Sequence, residues 1–295
     1  MNPPRATLPL FLVTALLLTA GSPAAVQDRT PANVAAKAQE KAKAPKPMLK
    51  STVFRWEDLP VRTTPNGERR DVANHPTATL AVFECHITTL NPGRASHDPH
   101  RHPQEELIIV KEGTLEVHIN GQTQRAGPGS TFFYASNDAH AVRNVGETRA
   151  TYWVINLASA ATHNPAQHNA APTLRSGVFD WTALKVVPTA TGERRQILSG
   201  STVTLQKLSH HASTVKALTA AHGAHRHVDD EIVIVQNGVL DITINGEVTR
   251  ASAGSVAYYN SNDLHGMHNA GEKPATYHVI RMITAATPKP DPAKK

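Results

Sequence analysis

The chain has a single cysteine, Cys85, in 295 residues. One thiol excludes an internal disulfide, so nothing in the fold is stapled. Charge of one sign is equally scarce where a polyanion could use it. The formal charge is +6, but positions 1–50 hold seven Lys/Arg against two acids and 285–295 hold three against one. That leaves 20 basic and 21 acidic side chains over 51–284, a nearly neutral body. A phosphate-binding surface needs clustered positive charge on a folded face, so nucleic acid is excluded as a partner.

Long hydrophobic runs are also missing. "LPLFLVTALLLTAGSPAA" has an apolar core of about a dozen residues, too short to span a bilayer comfortably. With Arg5 before it and small residues after it, the run reads as a secretory signal peptide over 1–25, cleaved after Ser22, Ala24 or Ala25. The expected product is exported, periplasmic or extracellular, with no membrane contact beyond that segment. One Arg and two prolines make a weak n-region, which leaves an uncleaved anchor as the alternative. Cys85 is too far from the run for lipid attachment at its end. Residues 26–50, rich in Ala, Lys and Pro, are expected to form a flexible tether, and 285–295 a basic tail.

What fills the middle of the chain is short Val/Ile/Thr/Tyr-rich runs broken by Gly, Asn, Asp and Pro, an all-β pattern. The pattern also repeats. "VFRWEDLPVRTTPNGERR" from Val53 returns as "VFDWTALKVVPTATGERR" from Val178, and the offset of 125 holds without an insertion to "YWVINL" and "YHVIRM". Of these 105 paired positions 45 are identical, which marks an internal duplication of one small domain. The expected units are 51–157 and 178–284, joined by a polar linker over 158–177. Asn120-Gly121 and Asn245-Gly246 sit between alternating runs and predict two-residue hairpin turns. Many short strands at even spacing indicate a sandwich or barrel.

Chemistry concentrates in "PHRHPQEELIIVKEG" (99–113) and "AHRHVDDEIVIVQNG" (224–238). Alternate residues of a strand share a face, so His100 and His102 point together, with Glu106 an even number of residues further on. His140 in "SNDAHAVRN" aligns with His265 in "SNDLHGMHN". Each unit thus offers three imidazoles and one carboxylate: His100, His102, Glu106 and His140, then His225, His227, Glu231 and His265. Trp56/Trp181 and the two "GERR" segments are retained as well, so retention alone does not separate ligand from core. The ligand spacing does. Such a set suits a divalent transition metal (Fe, Mn, Ni, Cu or Zn), one per unit, and an octahedral ion keeps open positions for water or substrate.

The pattern H-x-H-x3-E-x6-G (His100 to Gly113, His225 to Gly238), followed by G-x10-H-x3-N (Gly129, His140, Asn144; Gly254, His265, Asn269), resembles the two motifs of the cupin superfamily. The resemblance covers both units and implies a bicupin: two tandem jelly-roll β-barrels with the four ligands converging inside each mouth. The family's Pro-x-Gly turn before the last His is replaced by residues ending in Asn137 and Asn262, and Asn is the next-best residue to Gly where φ is positive. The early motif glycine corresponds to Gly93, with Leu218 in its place in the second unit.

His97 and His222 precede the H-x-H pairs by three residues and are weak candidates for acid–base groups at the mouth; the alternative is a loop His facing solvent. Arg101 and Arg226 are turned outward by strand parity. Arg69/Arg70 of "GERR" are expected in turn or inter-unit contacts, with a substrate-anion role as the lesser reading. His118 is expected at the surface and Trp56/Trp181 in the core. At the pocket walls Phe132 pairs with Ala257, Phe133 with Tyr258, Trp153 with His278 and Arg143 with His268. If these side chains face inward, the second unit has the roomier pocket and carries the turnover.

The resemblance implies a metal-dependent enzyme acting on a small organic molecule, with dioxygenase-type ring cleavage as the nominal activity. Nothing matches the lid signature of an oxalate decarboxylase. A non-catalytic cupin of the cell envelope that binds or senses a small molecule or metal is the alternative. A storage bicupin fits less well, since no ligand is lost.

Overall fold

The computed structural model describes residues 46–289. The expected signal peptide, the tether up to residue 45 and the end of the basic tail lie outside the described residues. Residues 46–50, assigned to the tether above, lie against the body: Leu49 N–H donates to Pro76 O (2.8 Å), and its side chain packs on the core.

The first half contains β1 (Thr52–Phe54), β2 (Arg62–Thr64), β3 (Gly67–His75), β4 (Val82–Leu90), β5 (Glu105–Glu112), β6 (Leu115–Ile119), β7 (Gln122–Ala126), β8 (Thr131–Tyr134), β9 (His140–Asn144) and β10 (Ala150–Ala158). The second contains β11 (Gly177–Phe179), β12 (Val186–Thr189), β13 (Gly192–Gly200), β14 (Lys207–Val215), β15 (Ala220–His225), β16 (Asp230–Asn237), β17 (Val239–Ile244), β18 (Glu247–Ser252), β19 (Val256–Tyr259), β20 (His265–Asn269) and β21 (Ala275–Ile283). The fold is all-β, two jelly-roll barrels, each a large sheet closed by a small one: β7-β6-β9 in the first half and β15-β20-β17-β18 in the second.

Both predicted hairpin turns are present. Ile119 pairs with Gln122 and Ile244 with Glu247, and all four central residues have positive φ (47° and 86°; 49° and 93°), the geometry that favours Asn-Gly.

The large sheets exchange their first strands. β1 pairs with β19 of the second half, and β11 pairs with β8 of the first. Each arm carries a tryptophan onto the other barrel. A Cβ on Gly254 would lie 2.4 Å from the Trp56 ring, and one on Gly129 would lie 2.6 Å from Trp181. The motif glycines are therefore seats for the exchanged indoles. Arg70 and Arg195 cover the indoles at 4.1 and 4.2 Å, so the second arginine of each "GERR" contacts a residue of its own unit, the tryptophan that the arm carries to the other barrel.

Between the barrels lies one shared core. Phe83, Ile87, Leu107, Phe133 and Trp153 meet Leu208, Ile232, Tyr258 and Ile280, and Phe83 stacks on Tyr258 with centroids 5.7 Å apart. Fully buried side chains of this size each contribute about 1.5–3 kcal/mol by transfer from water. Two buried carboxylates register the halves. Glu105 accepts from Thr204 N–H (3.0 Å) and Ser136 N–H (3.2 Å), and Asp230 from the Thr77 and Thr79 hydroxyls (2.7 Å each).

The core also holds a polar pair, His210 and His278, in the places of Cys85 and Trp153. Their facing nitrogens, Nε2 and Nδ1, are 3.0 Å apart, and both rings are fully buried. Burial pushes His210 well down and His278 to about 3. Above the unfolded value of about 6.5 neither state binds these protons. As pH falls from there toward 3, the unfolded chain takes protons that the folded chain refuses, and stability drops. Replacement His278→Leu is expected to flatten urea-measured stability against pH between 6 and 4 by roughly 1 kcal/mol per pH unit. An unchanged slope would show that the pair is not held neutral.

Candidate metal centres

Each imidazole cluster is assembled by three devices. His100 exchanges backbone hydrogen bonds with His140 (3.1 and 3.0 Å), and His225 ends β15 opposite His265 on β20. The turn before the last His is clipped to the ligand strand: Asn137 N–H donates to His102 O (2.8 Å) and Asn262 N–H to His227 O (2.7 Å). Both asparagines adopt positive φ, 63° and 66°, as the substitution for glycine requires. The hairpin tips complete the hold, with Asn120 Oδ1 accepting from Ala139 N–H and Asn245 Oδ1 from Leu264 N–H, each at 3.0 Å.

The result is two congruent sites. His100, His102 and His140 bring one ligand nitrogen each within 4.8 Å of one another, as do His225, His227 and His265. Glu106 stands 3.3 Å from His102 Nε2 and 3.7 Å from His140 Nε2; Glu231 stands 3.0 Å from His227 Nε2 and 3.9 Å from His265 Nε2. His140 and His265 donate Nδ1–H to the carbonyls of Asp138 (2.9 Å) and Asp263 (2.8 Å). Their Nε2 atoms are buried without a hydrogen-bond partner. In the second site His227 Nδ1 likewise donates to Asp229 O (2.9 Å), and its Nε2 lies 3.0 Å from Glu231 Oε2. In each site the unpartnered Nε2 of the last His faces a carboxylate and two further imidazoles, a donor set that a cation completes. Burial depresses His140 and brings His265 down to about 4, so those two imidazoles stay neutral at ordinary pH. Burial opposes a proton on His227 too, but Asp229 and Glu231 together carry it up to about 9. The residues fit a divalent transition metal at both sites.

His97 and His222 stand at the mouths, their rings edge-on to His100 (4.0 Å) and His225 (4.6 Å). Arg101 is exposed, as parity predicted, and so is His118. Tyr134 and Tyr259 were missed: each stacks on the last His of its site at 4.2 Å, at 12° and 13°. Their signal was retention in both copies six residues before that His.

A cavity of about 650 Å³ opens onto the first cluster, lined by His97, His100, His102 and Glu106. The expectation of a roomier second pocket rested on inward-facing walls. Strand parity turns Phe133/Tyr258 and Trp153/His278 outward, the first three into the shared core and His278 against His210, and Arg143 is exposed. Only Phe132/Ala257 face the barrel interiors. The barrels also differ at one rung of the lumen. Glu84, Asn156 and Glu106 lie side by side on β4, β10 and β5; the second barrel has Ser209, Arg281 and Glu231 there. Arg281 forks onto Asp229 at 2.6 and 2.9 Å and reaches within 3.8 Å of Glu231.

The model of the Cupin domain family matches residues 86–156 and again 214–281. This chain is a bicupin. No curated protein matches it at a significant level. Among solved structures, AerE from Microcystis aeruginosa superposes on the bicupin with a TM-score of 0.58 at 14% identity, over 79% of this chain and 97% of that one. Two oxalate decarboxylase variants from Bacillus subtilis give TM-scores of 0.60 at 14% identity, over 81% of this chain and 79% of theirs. At such identity the likeness carries the fold and no activity. No helix among the described residues is long and apolar enough to cross a membrane.

The loop before the second site carries strain. Leu218 takes φ = 52° where Gly93 stands in the first half, and its side chain is 65% exposed. Left-handed backbone costs a residue with a Cβ roughly 1–2 kcal/mol, against about 0.5–1 kcal/mol of extra entropy for glycine. Leu218→Gly should therefore raise the urea-measured stability by about 0.5–1 kcal/mol. A loss of stability would mean that the leucine side chain makes a compensating contact.

Proposed function

We propose that this bicupin is an exported, metal-dependent enzyme acting on a small organic molecule in the first barrel, with dioxygenase-type ring cleavage as its reaction. Each set of three histidines and one glutamate holds one divalent ion, and the ion supplies Lewis acidity and open positions for oxygen ligands when bound. The observation that carries the reading is the cavity on the first cluster: its walls combine Ile108, Val154 and Tyr152 with polar groups, and it reaches His100, His102 and Glu106 of the ligand set. Mn(II) centres occur in the Bacillus subtilis oxalate decarboxylase, so manganese belongs among the metals tested with Fe, Ni, Cu and Zn. The second site, braced by Arg281 and Asp229, holds a structural ion.

Purified protein is expected to carry close to two metal ions per chain by elemental analysis. His100→Ala should remove one ion and the activity, His225→Ala one ion and mainly stability. Losing a ligand weakens the site by well over the tenfold typical of outer-shell changes. Oxygen consumption across catechols, flavonols and diacids reads the activity. Full metal content in the combined His100→Ala, His225→Ala variant would overturn the metal reading. Full metal with no turnover on any substrate would favour the non-catalytic binding cupin instead. Export rests on the apolar run after Arg5, and mass spectrometry of soluble envelope protein should find residues 1 to 22–25 removed.

A further inference from the structure

The lumen of the first barrel contains a second constellation, away from the imidazole cluster. On β4 the alternation sends Phe83, Cys85 and Ile87 into the shared core and turns Glu84, His86 and Thr88 into the cavity. His86 Nδ1–H donates to Glu84 Oε1 (2.8 Å), Asn156 Nδ2 donates to Glu84 Oε2 (2.9 Å), and Arg69 Nη2 donates to Oε1 (3.1 Å). With three donors on one carboxylate, the pair is held as an ionised Glu84 beside an imidazole whose Nδ1 carries the hydrogen. Burial pushes the Glu84 carboxyl up, but His86, Asn156 and Arg69 together hold it below its usual range. In the neutral ring this geometry puts the lone pair of His86 on Nε2, the ring nitrogen left for a ligand in the cavity.

Position and asymmetry give this dyad its meaning. Glu84 and Glu106 lie on one rung with β10 between them, so their strands are on the order of 10 Å apart. A molecule of one or two rings spans that distance within the 650 Å³ cavity. In the second barrel the imidazole is retained as His211, but its carboxylate is Ser209 and Asn156 is Arg281. Burial lowers His211 to about 4, with Arg194 acting in the same direction. The same fold thus carries a carboxylate–imidazole pair in one barrel and an unsupported imidazole in the other.

We infer that His86 is a catalytic base in the first barrel, oriented by Glu84, that takes the proton of an acidic hydroxyl (a phenol or enol) on a substrate whose other oxygen faces the imidazole cluster. The inference rests on the proposed function above. In the step the substrate O–H bond breaks, its electron pair stays on the oxygen, and the proton forms N–H at His86 Nε2. Glu84 stabilises the resulting imidazolium through Nδ1–H, and no oxidant is consumed. His86 would touch substrate; Glu84 is a positioning residue, and Asn156 and Arg69 hold it ionised.

The test uses metal-loaded full-length protein and 4-nitrocatechol, whose ionised form is identified by its visible absorbance. Wild type should bind the probe ionised in mildly acidic buffer, with less than one proton per site released to a pH indicator. His86→Gln should bind it about tenfold or more weakly there, or bind it with full proton release. The deficit should vanish in alkaline buffer, where the free probe is already ionised. Glu84→Gln should show the same pattern in weaker form, and His211→Gln should behave as wild type. Unchanged affinity and proton release in His86→Gln, or a loss that alkaline buffer does not rescue, would overturn the dyad while leaving the metal reading intact. Failure of metal-loaded wild type to bind the probe at all would overturn the dyad together with the proposed small-molecule reaction in the first barrel.

Discussion

The period-two alternation of six strands is the constraint on which the rest depends. β4, β10 and β5, with β14, β21 and β16, each face the shared core on one side and a barrel lumen on the other. The shared-core face has no freedom: Phe83, Leu107, Ile155 and their counterparts meet across the halves at full burial. A slip of one residue would exchange the faces, putting Glu84 and Glu106 into apolar packing and Phe83 into the cavity. Once the core face is fixed, so is the list of positions that can carry chemistry, and those positions can vary at little cost to the core. Glu84 against Ser209 and Asn156 against Arg281 are changes of that kind.

The exchanged arms make the two halves one folding unit. Each half alone lacks the strand that covers β8 or β19, and each would leave Gly129 or Gly254 as an open notch. The notch matters to the site, because Gly254 leads directly into β19, which carries Tyr259, and Tyr259 stacks on His265. Ser176 and Ser51, just before the arms, donate to Asp138 and Asp263 at 2.5 Å each. Those aspartates' carbonyls fix the last His of each set. Docking of the arms and orientation of the ligands are therefore coupled through single residues.

Much of this was legible in the sequence. The ungapped offset gave the duplication, ligand spacing gave the histidine sets, and the preference of Asn for positive φ predicted the turns at Asn137 and Asn262. Sequence could not show which strand each arm would join, because Thr52–Phe54 is equally suited to either edge. It also could not separate the two cores. Phe133 and Trp153 are large and apolar and follow the site in sequence, which made them look like pocket walls; the pairing register, which sets Phe133 opposite Leu107 and Trp153 opposite Ile109, turns them outward. Glu84 and His86 escaped notice for the opposite reason, since a carboxylate and an imidazole two apart on a strand look like a solvated face until a barrel closes over them.

Duplication with identical ligand sets leaves electrostatics to divide the labour. Beside Glu231, Arg281 adds a full positive charge that Asn156 does not add beside Glu106. That charge is committed to Asp229, whose carbonyl in turn fixes His227, so the second site is tied into a closed network of ion pairs and hydrogen bonds. Such closure favours a rigid ion and leaves little room for a ligand to rearrange it. The first site has Gln104 where the second has Asp229, and its additional carboxylate, Glu84 on β4, bonds His86 two residues along the same strand instead of bracing the ligand shell. Moving one carboxylate by two strands turns a brace of the ligand shell into a wall of the cavity, and the shared core is untouched by the change.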